Sequence, residues 1–278
     1  MVRRRPRSWS GDLRLGGGRG LLLFAAAVAV LEVIPYVWMV LSSLMSLREA
    51  GTGVWWPAQL RWDNYQEVLR AAPFGRYYLN TLLVCVAIAG LQLVFACTAG
   101  YAFARLRFPG RDLLFGLVLA CLLIPPQVRF VPVFLLLNEL GLLNGYLALI
   151  LPHSVSALGT FLIRQAFLVV PEEVVEAARL DGASTLRILW SIMVPIARPT
   201  LVAFALFSIV YHWNDLFWPL VMTSDESVRT LPLGVAMLRE EGTGVRWHLL
   251  MAANVLMVMP LLALFALAQR QIVRAFQL

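Results

Sequence analysis

Residues 171–195, PEEVVEAARLDGASTLRILWSIMVP, form a polar interruption between two long apolar stretches of the chain. Glu172 and Glu173 directly follow Pro171, an order typical of a first helical turn because acidic side chains stabilise the positive end of a helix. Gly182 favours an end to that helix, since glycine readily adopts the left-handed conformation of a helix C-terminus. The sequence therefore predicts a short helix followed by a sharp turn.

A second amphipathic helix is predicted after the turn, over residues 183–192. Pro195 is expected to help break it, because proline has no backbone N–H to donate. Val174 and Val175 supply part of an apolar stripe on the first helix. Segment 171–195 is thus predicted to be a structured helix–turn–helix unit.

The composition of the whole chain excludes a soluble domain. Of its 278 residues 60% are hydrophobic and only 14% charged, and the mean hydropathy is +0.76. A soluble protein of this size carries about a quarter charged residues on average, so neither a cytosolic globular enzyme nor a disordered chain fits. All 23 basic residues are Arg. The absence of Lys excludes a Walker A P-loop and a Schiff-base site, so any ATP must be handled by another chain.

Other function classes are also disfavoured. The pI is near 9.9, but the arginines are dispersed between apolar runs, so no nucleic-acid partner is predicted. Cys85, Cys97 and Cys121 lie inside apolar runs and fit neither a disulfide framework nor a zinc site. No nucleophile–base constellation is recognisable. We therefore predict no catalytic residues, no metal and no cofactor.

Six apolar stretches reach the length of about 20 residues that a membrane-spanning helix needs. They predict an all-α polytopic membrane protein. The spans are residues 21–44, 79–104, 113–137, 144–167, 199–222 and 249–268. We expect 79–268 to form the core domain, which includes segment 171–195.

Arginine is distributed unequally between the two sets of loops. By the positive-inside rule, the arginine-rich side is cytoplasmic. Both terminal segments, 1–20 and 269–278, are therefore predicted to be cytoplasmic together with 171–195, and 45–78 to be an extracytoplasmic loop. The arginines on the predicted cytoplasmic side are Arg3, Arg4, Arg5, Arg7, Arg14, Arg19, Arg105, Arg107, Arg111, Arg164, Arg179, Arg187, Arg198, Arg270 and Arg274.

The spacing of residues within segment 171–195 resembles the EAA signature of ABC importer permeases. Glu-Ala-Ala is followed after three residues by Gly and after nine more by Ile, with Pro three positions later; Val194 stands where Leu is usual. The resemblance implies a type I ABC importer permease fold in which this segment is a coupling helix unit. The residues that it assigns to coupling with an ATPase are Glu176, Ala177, Ala178, Asp181, Gly182, Ile192 and Pro195.

Further stretches are similar to the carbohydrate-type branch of that family, which includes maltose and glycerol 3-phosphate transporters. The similarity covers roughly residues 73–276 and implies four kinds of partner. These are a second homologous permease, two ATPase subunits, an extracytoplasmic solute-binding protein and the lipid bilayer of the cell membrane. The similar stretches are YAFARLRFPGRD from Tyr101, LGTFLIRQAF from Leu158, WNDLFWPL from Trp213 and TLPLG from Thr230.

The alternative for segment 171–195 is an amphipathic helix lying on lipid. Lys or Arg should then dominate its polar face. Its acidic residues favour docking to a protein instead, in which small residues at Ala177, Ala178 and Gly182 permit close approach and Glu176 pairs with a basic group. These acidic residues are Glu172, Glu173, Glu176 and Asp181.

Polar residues at membrane depth are candidates for a solute pathway, because such groups are tolerated where they face protein or water. Aromatic faces beside hydrogen-bonding groups suit sugar rings. The predicted pathway residues are Gln127, Arg129, His153, Tyr211, Trp213, Asn214 and Asp215.

Arg129 and Asp215 each lie about 26 Å from the inner face at 1.5 Å per residue, so they could form an ion pair near an outer gate. Two other roles for Arg129 stay open: it could receive an anionic group such as phosphate, or it could extend to the outer headgroups. PPQVRFVP from Pro125 and EEGTGVRW from Glu240 look like the glycerol 3-phosphate subgroup. The function that the resemblance implies is ATP-driven import of a sugar, an oligosaccharide or a glycerol 3-phosphate-type solute. The alternative is a secondary transporter driven by an ion gradient.

Overall fold

The computed structural model describes the backbone of residues 15–238 and 245–275 and the side chains of 20–238 and 245–269. Within these ranges the chain is helical and has no strand, which confirms the predicted all-α class. Most of the predicted terminal segments 1–20 and 269–278 lies outside the described side chains. The helices are α1 (Leu15–Ser43), α2 (Leu47–Thr52), α3 (Asp63–Ala71), α4 (Phe74–Arg105), α5 (Arg111–Ala120), α6 (Pro126–Glu139), α7 (Tyr146–Ile150), α8 (Ala157–Val169), α9 (Glu172–Leu180), α10 (Thr185–Ile188), α11 (Val194–Ile196), α12 (Arg198–Trp213), α13 (Phe217–Met222), α14 (Leu231–Met237) and α15 (Trp247–Ala275).

Three helices are individually long and apolar enough to cross a membrane: α1, α4 and α15. Three pairs of shorter helices reach the same length together but bend at a break, which gives up to six spans among the described residues. The bends are 99° between Arg111–Leu123 and Pro126–Glu139, 44° between Tyr146–His153 and Ala157–Val169, and 80° between Thr185–Ile196 and Arg198–Trp213.

Proline accounts for the sharpest of these bends. Pro125 and Pro126 follow a short 3₁₀ turn at Cys121–Leu123, and Ile124 is extended, with ψ 113°. The residue before a proline avoids the helical region because its backbone would clash with the proline ring. The sequence therefore predicts the break, but it does not determine the angle between the two helices.

Segment 171–195 forms the helix–turn–helix that the sequence predicts, with one difference at its end. Leu189–Met193 is a π-helical turn and α11 continues through Pro195, so the bend falls at Ala197. A wider turn accommodates the missing N–H and the ring of Pro195 without ending the helix. The expectation that Pro195 breaks the helix is therefore wrong by two residues.

One hydrophobic cluster joins segment 171–195 to the spans. Val175, Ile188 and Met193 are buried against Ile163 and Phe167 of α8, together with side chains of α4 and α12. The buried side chains of the segment therefore anchor it to α4 and α8, so a movement of the segment is transmitted to these helices.

α8 and α12 approach each other so closely that only glycine fits at the start of α8. A Cβ atom on Gly159 would lie 2.4 Å from Cζ of Phe204. We expect Gly159→Ala to lower the free energy of unfolding by about 1–3 kcal/mol through overpacking, and Phe204→Leu to recover part of that loss. Thermal unfolding of the purified protein in detergent measures both effects.

Gly116→Ala is the matched control, because a Cβ atom there meets nothing within 4 Å. Equal destabilisation by the two substitutions, or strict additivity of Gly159→Ala with Phe204→Leu, would contradict the steric explanation.

The opposite end of the bundle is fastened by buried polar side chains at the start of α4. The Asn80 amide donates to the carbonyl oxygens of Ser227 and Arg229, at 2.9 and 2.8 Å, and accepts from the Tyr146 hydroxyl at 2.7 Å. Thr81 Oγ1 accepts from the backbone N–H of Leu231 at 2.7 Å. These bonds hold the connection between α13 and α14 against α4.

A capping box begins α2 in the connection between α1 and α3. Glu49 accepts from the side chain and backbone of Ser46 and from the Ala58 N–H, and these hydrogen bonds, that of the Ser46 side chain first, lower the pKa of Glu49 to about 2. A carboxyl with a lowered folded pKa stabilises the fold above its unfolded pKa and loses that effect as the pH falls toward 2. The turn is thus stable to mild acid.

Candidate functional site

A cleft of about 840 Å³ opens where two of the three bent spans break, near Pro126 and near Ser156. It reaches from α4 to the 3₁₀ turn after α5 and the first turn of α6, and from there to α8 and α12. Its volume lies in the range of small-molecule sites, about 300–1,000 Å³. The polar residues that line it are Gln92, Thr98, Arg129, His153, Ser156, Thr160, Ser208, Tyr211 and His212.

A chain of hydrogen bonds orders one wall of the cleft. The Gln92 amide donates to the His153 carbonyl and accepts from the Ser208 hydroxyl, both at 2.7 Å. His212 Nδ1 lies 2.8 Å from the Ser208 carbonyl, which can only accept, so Nδ1 carries a proton. Gln92 and Ser208 are not among the predicted pathway residues, although a Gln within an apolar span is a recognisable signal.

The structure brings together only part of the predicted pathway set. Arg129, His153 and Tyr211 line the cleft, while Asp215 lines a small adjoining cavity that shares His153 with it.

The remaining predicted pathway residues, Gln127, Trp213 and Asn214, are not among the lining residues of either cavity. Trp213 is buried in the core, where its indole N–H donates to the Met257 carbonyl at 3.0 Å. The Asn214 amide donates to the Val210 carbonyl of its own helix. Trp213 thus fastens α12 to α15, which is a packing role.

Asp215 does not pair with Arg129 among the ion pairs of the described residues. Its carboxylate accepts from the backbone N–H of Trp218 at 3.1 Å and so caps the start of α13. The Trp218 indole in turn donates to the Ala148 carbonyl at 3.0 Å. The hypothesised ion pair is therefore replaced by a helix cap that positions Trp218.

Substitutions at Asp215 distinguish a role of its negative charge from its role as a helix cap. We expect Asp215→Asn, which retains an acceptor oxygen, to keep most transport activity, whereas Asp215→Ala loses a cap worth about 0.5–2 kcal/mol and transports severalfold less. Solute uptake by vesicles measures both variants. If Asp215→Asn falls as far as Asp215→Ala, the charge itself is needed and capping is not the role.

Segment 171–195 presents a second surface, at its turn. Gly182 has φ +77°, its N–H donates to the Arg179 carbonyl, and the Ala183 N–H donates to the Ala178 carbonyl, both at 3.0 Å. These two bonds form the Schellman ending of α9. Leu180 and Leu186 on either side of the turn are 89% and 65% exposed.

The predicted coupling residues divide between this surface and the core. Ala178 is buried and Ile192 packs against the same cluster, so the expectation that Ala178 lets another protein approach closely is wrong. A helix buries one face, and Ala178 lies three residues from the buried Val175. The exposed members are Glu176, Ala177, Asp181, Gly182 and Pro195.

An arginine at the end of α4 fixes the start of the segment. The Arg105 guanidinium donates to the Phe167 carbonyl at 2.6 Å and also to the Val170 carbonyl, the last residue before Pro171. Arg164 of α8 donates back to the Phe103 carbonyl of α4 at 3.3 Å. α4 and α8 are therefore clamped together where the segment begins, a contact that sequence spacing could not reveal.

Comparisons with known proteins agree with this arrangement. Residues 92–277 match the family described as binding-protein-dependent transport system inner membrane component. The sn-glycerol-3-phosphate transport system permease protein UgpE of Yersinia enterocolitica is 35% identical over 225 residues, which cover 78% of this chain and 80% of that protein. The arabinooligosaccharides transport system permease protein AraQ of Halalkalibacterium halodurans is 34% identical over 250 residues, covering 88% and 89%.

A solved structure shows the same fold. A chain of a bacterial ABC transporter involved in the import of the acidic polysaccharide alginate superposes with a TM-score of 0.81 at 23% identity, covering 96% of this chain and 99% of that chain. Together with the family match over most of the sequence, the helical architecture and the projecting turn lead to one assignment. The chain belongs to the family of inner membrane components of binding-protein-dependent transport systems.

Proposed function

We propose that the chain is the membrane-spanning permease subunit of an ATP-driven importer that carries a carbohydrate or a glycerol phosphate-type solute into the cytoplasm. The names of its relatives support this solute class. The observation that carries the proposal is the exposed turn of segment 171–195 on a base that is buried against α4 and α8. Such a unit can transmit movement from a docked protein to the spans.

The docked proteins are two ATPase subunits on the cytoplasmic side, where both termini also lie. The chain has no Lys and so cannot form a P-loop of its own. Exposed Leu180 and Leu186 offer apolar contacts, and exposed Glu176 offers a partner for a basic group. A separate ATPase therefore supplies the energy, and this chain converts its closure into rearrangement of the spans.

A second homologous permease and an extracytoplasmic binding protein complete the assembly. The single chain does not enclose the cleft, as expected if a second permease completes its wall. The family description itself names dependence on a binding protein. Solute released by that protein then has an alternating-access pathway between the two permeases.

Reconstitution of the complete assembly in liposomes tests the proposal. Uptake of labelled sn-glycerol 3-phosphate or an arabinooligosaccharide should require both ATP inside, next to the ATPases, and binding protein outside. It should be lost when the Walker A lysine of the ATPase is replaced, and it should be unaffected by collapse of proton and sodium gradients. Uptake driven by an ion gradient without ATP would overturn the proposal in favour of a secondary transporter.

A further inference from the structure

Arg129 carries the only formal charge among the described residues that line the cleft. Arg129 lies in the first turn of α6, directly after the break at Pro125, and no Asp or Glu is among the described residues that line the cleft. The amide groups that begin α6 add partial positive charge at the same place. The cleft is therefore electropositive as well as rich in hydrogen-bonding groups.

Arg129 has no ion pair or hydrogen bond within the described part of the chain. Asp215, the acid of the hypothesised ion pair, accepts instead from the Trp218 N–H at the start of α13. A charge at membrane depth is costly unless it faces a partner or a water-filled cavity. Arg129 is exposed and lines the cleft, so its guanidinium is available to bind an oxyanion that enters the cleft.

We infer that the cleft is a binding site for a solute that carries a phosphate or carboxylate group, and that Arg129 is the residue that selects for the anion. The guanidinium binds two oxygens of such a group at once, while Tyr211, Ser156 and the Gln92–Ser208–His212 wall offer hydrogen bonds to hydroxyl groups. This inference rests on the proposed function, because it places the anionic solute on the pathway of that importer.

The chain contains its own reporter for this site. Cys121 is exposed and lines the cleft, whereas Cys85 and Cys97 are buried. In the purified full-length chain in a maltoside detergent, the rate of N-ethylmaleimide modification at Cys121 is measured by peptide mass spectrometry. The probes are inorganic phosphate, sn-glycerol 3-phosphate and glycerol, at ionic strength matched with chloride.

Phosphate and sn-glycerol 3-phosphate should each slow the modification about threefold or more at saturation, and glycerol should not. Arg129→Gln should abolish this protection and Arg129→Lys should keep part of it. Arg70→Gln makes the same charge change on exposed α3 and should leave protection intact. Binding of ³²P-labelled phosphate by equilibrium dialysis should follow the same order among the variants.

Two results would overturn the inference. Equal protection in the native chain and Arg129→Gln would show that Arg129 does not select the anion. Protection by added phosphatidylglycerol but not by the soluble anions would assign Arg129 to a lipid headgroup. Neither measurement uses ATP or an ATPase, so failure here leaves the importer assignment standing, and failure of ATP-driven uptake leaves the anion site measurable.

Discussion

Gly182→Val should reduce ATP-driven uptake about tenfold or more while the protein still inserts and folds. Gly182 has φ +77°, and a branched side chain in that conformation costs roughly 1–2 kcal/mol. Each 1.4 kcal/mol lowers the population of the correct turn about tenfold. A Cβ atom at this position would meet nothing within 4 Å, so the effect is one of backbone conformation. Uptake and ATPase co-purification measure it.

Two controls separate the turn from general damage. Gly182→Asn should retain most uptake, because Asn tolerates the left-handed region. Gly53 has φ +73°, also in open space, but ends α2 in a different connection. Gly53→Val imposes the same local strain there and should leave ATPase association unchanged. Full coupled uptake by Gly182→Val would refute the role of the turn.

Arg105→Gln should uncouple ATP hydrolysis from solute transport, so that uptake falls about tenfold and ATP hydrolysis falls less. The substitution removes charge-assisted hydrogen bonds to the Phe167 and Val170 carbonyls, each worth about 1.5–3 kcal/mol. Segment 171–195 would then lose its link to α4 at the place where it leaves α8. Uptake and ATPase activity are measured on the same proteoliposomes, and their ratio reports coupling.

Arg107→Gln is the matched control, because Arg107 is exposed two residues further along the chain. It should keep the native ratio of uptake to hydrolysis. Arg105→Lys should recover only part of the ratio, since the lysine side chain is shorter and its ammonium group lacks the fixed planar geometry with which Nη2 of Arg105 donates to both carbonyls. A parallel fall in uptake and hydrolysis for Arg105→Gln, with loss of thermal stability, would point to a folding role instead.

Particular residues show how far the sequence alone predicts this fold. The turn at Gly182 and the break at Pro125 are local features. Glycine allows backbone conformations that other residues avoid, and proline restricts its own backbone, whatever the surrounding fold. The sequence predicts a helix end at Pro195, whereas the bend lies at Ala197. The π turn at Leu189–Met193 that lets the helix continue depends on how the helix packs, which the sequence does not show. The predicted pathway positions Trp213 and Asn214 have other partners, because polarity at membrane depth does not indicate which face of a helix a residue occupies.

By itself the sequence determined that the chain lies in a membrane, that it is all-α and that residues 171–195 form a helix–turn–helix unit. The length of the apolar stretches and the positions of glycine and proline act locally, so they can be read without the tertiary structure. Only the tertiary structure decided that Arg105 caps α8 and that Gln92 joins the wall of the cleft, because these hydrogen bonds join residues of different helices that lie far apart in the chain. The Asp215 cap on the Trp218 N–H is local, but whether Asp215 reaches Arg129 depends on which helices pack side by side.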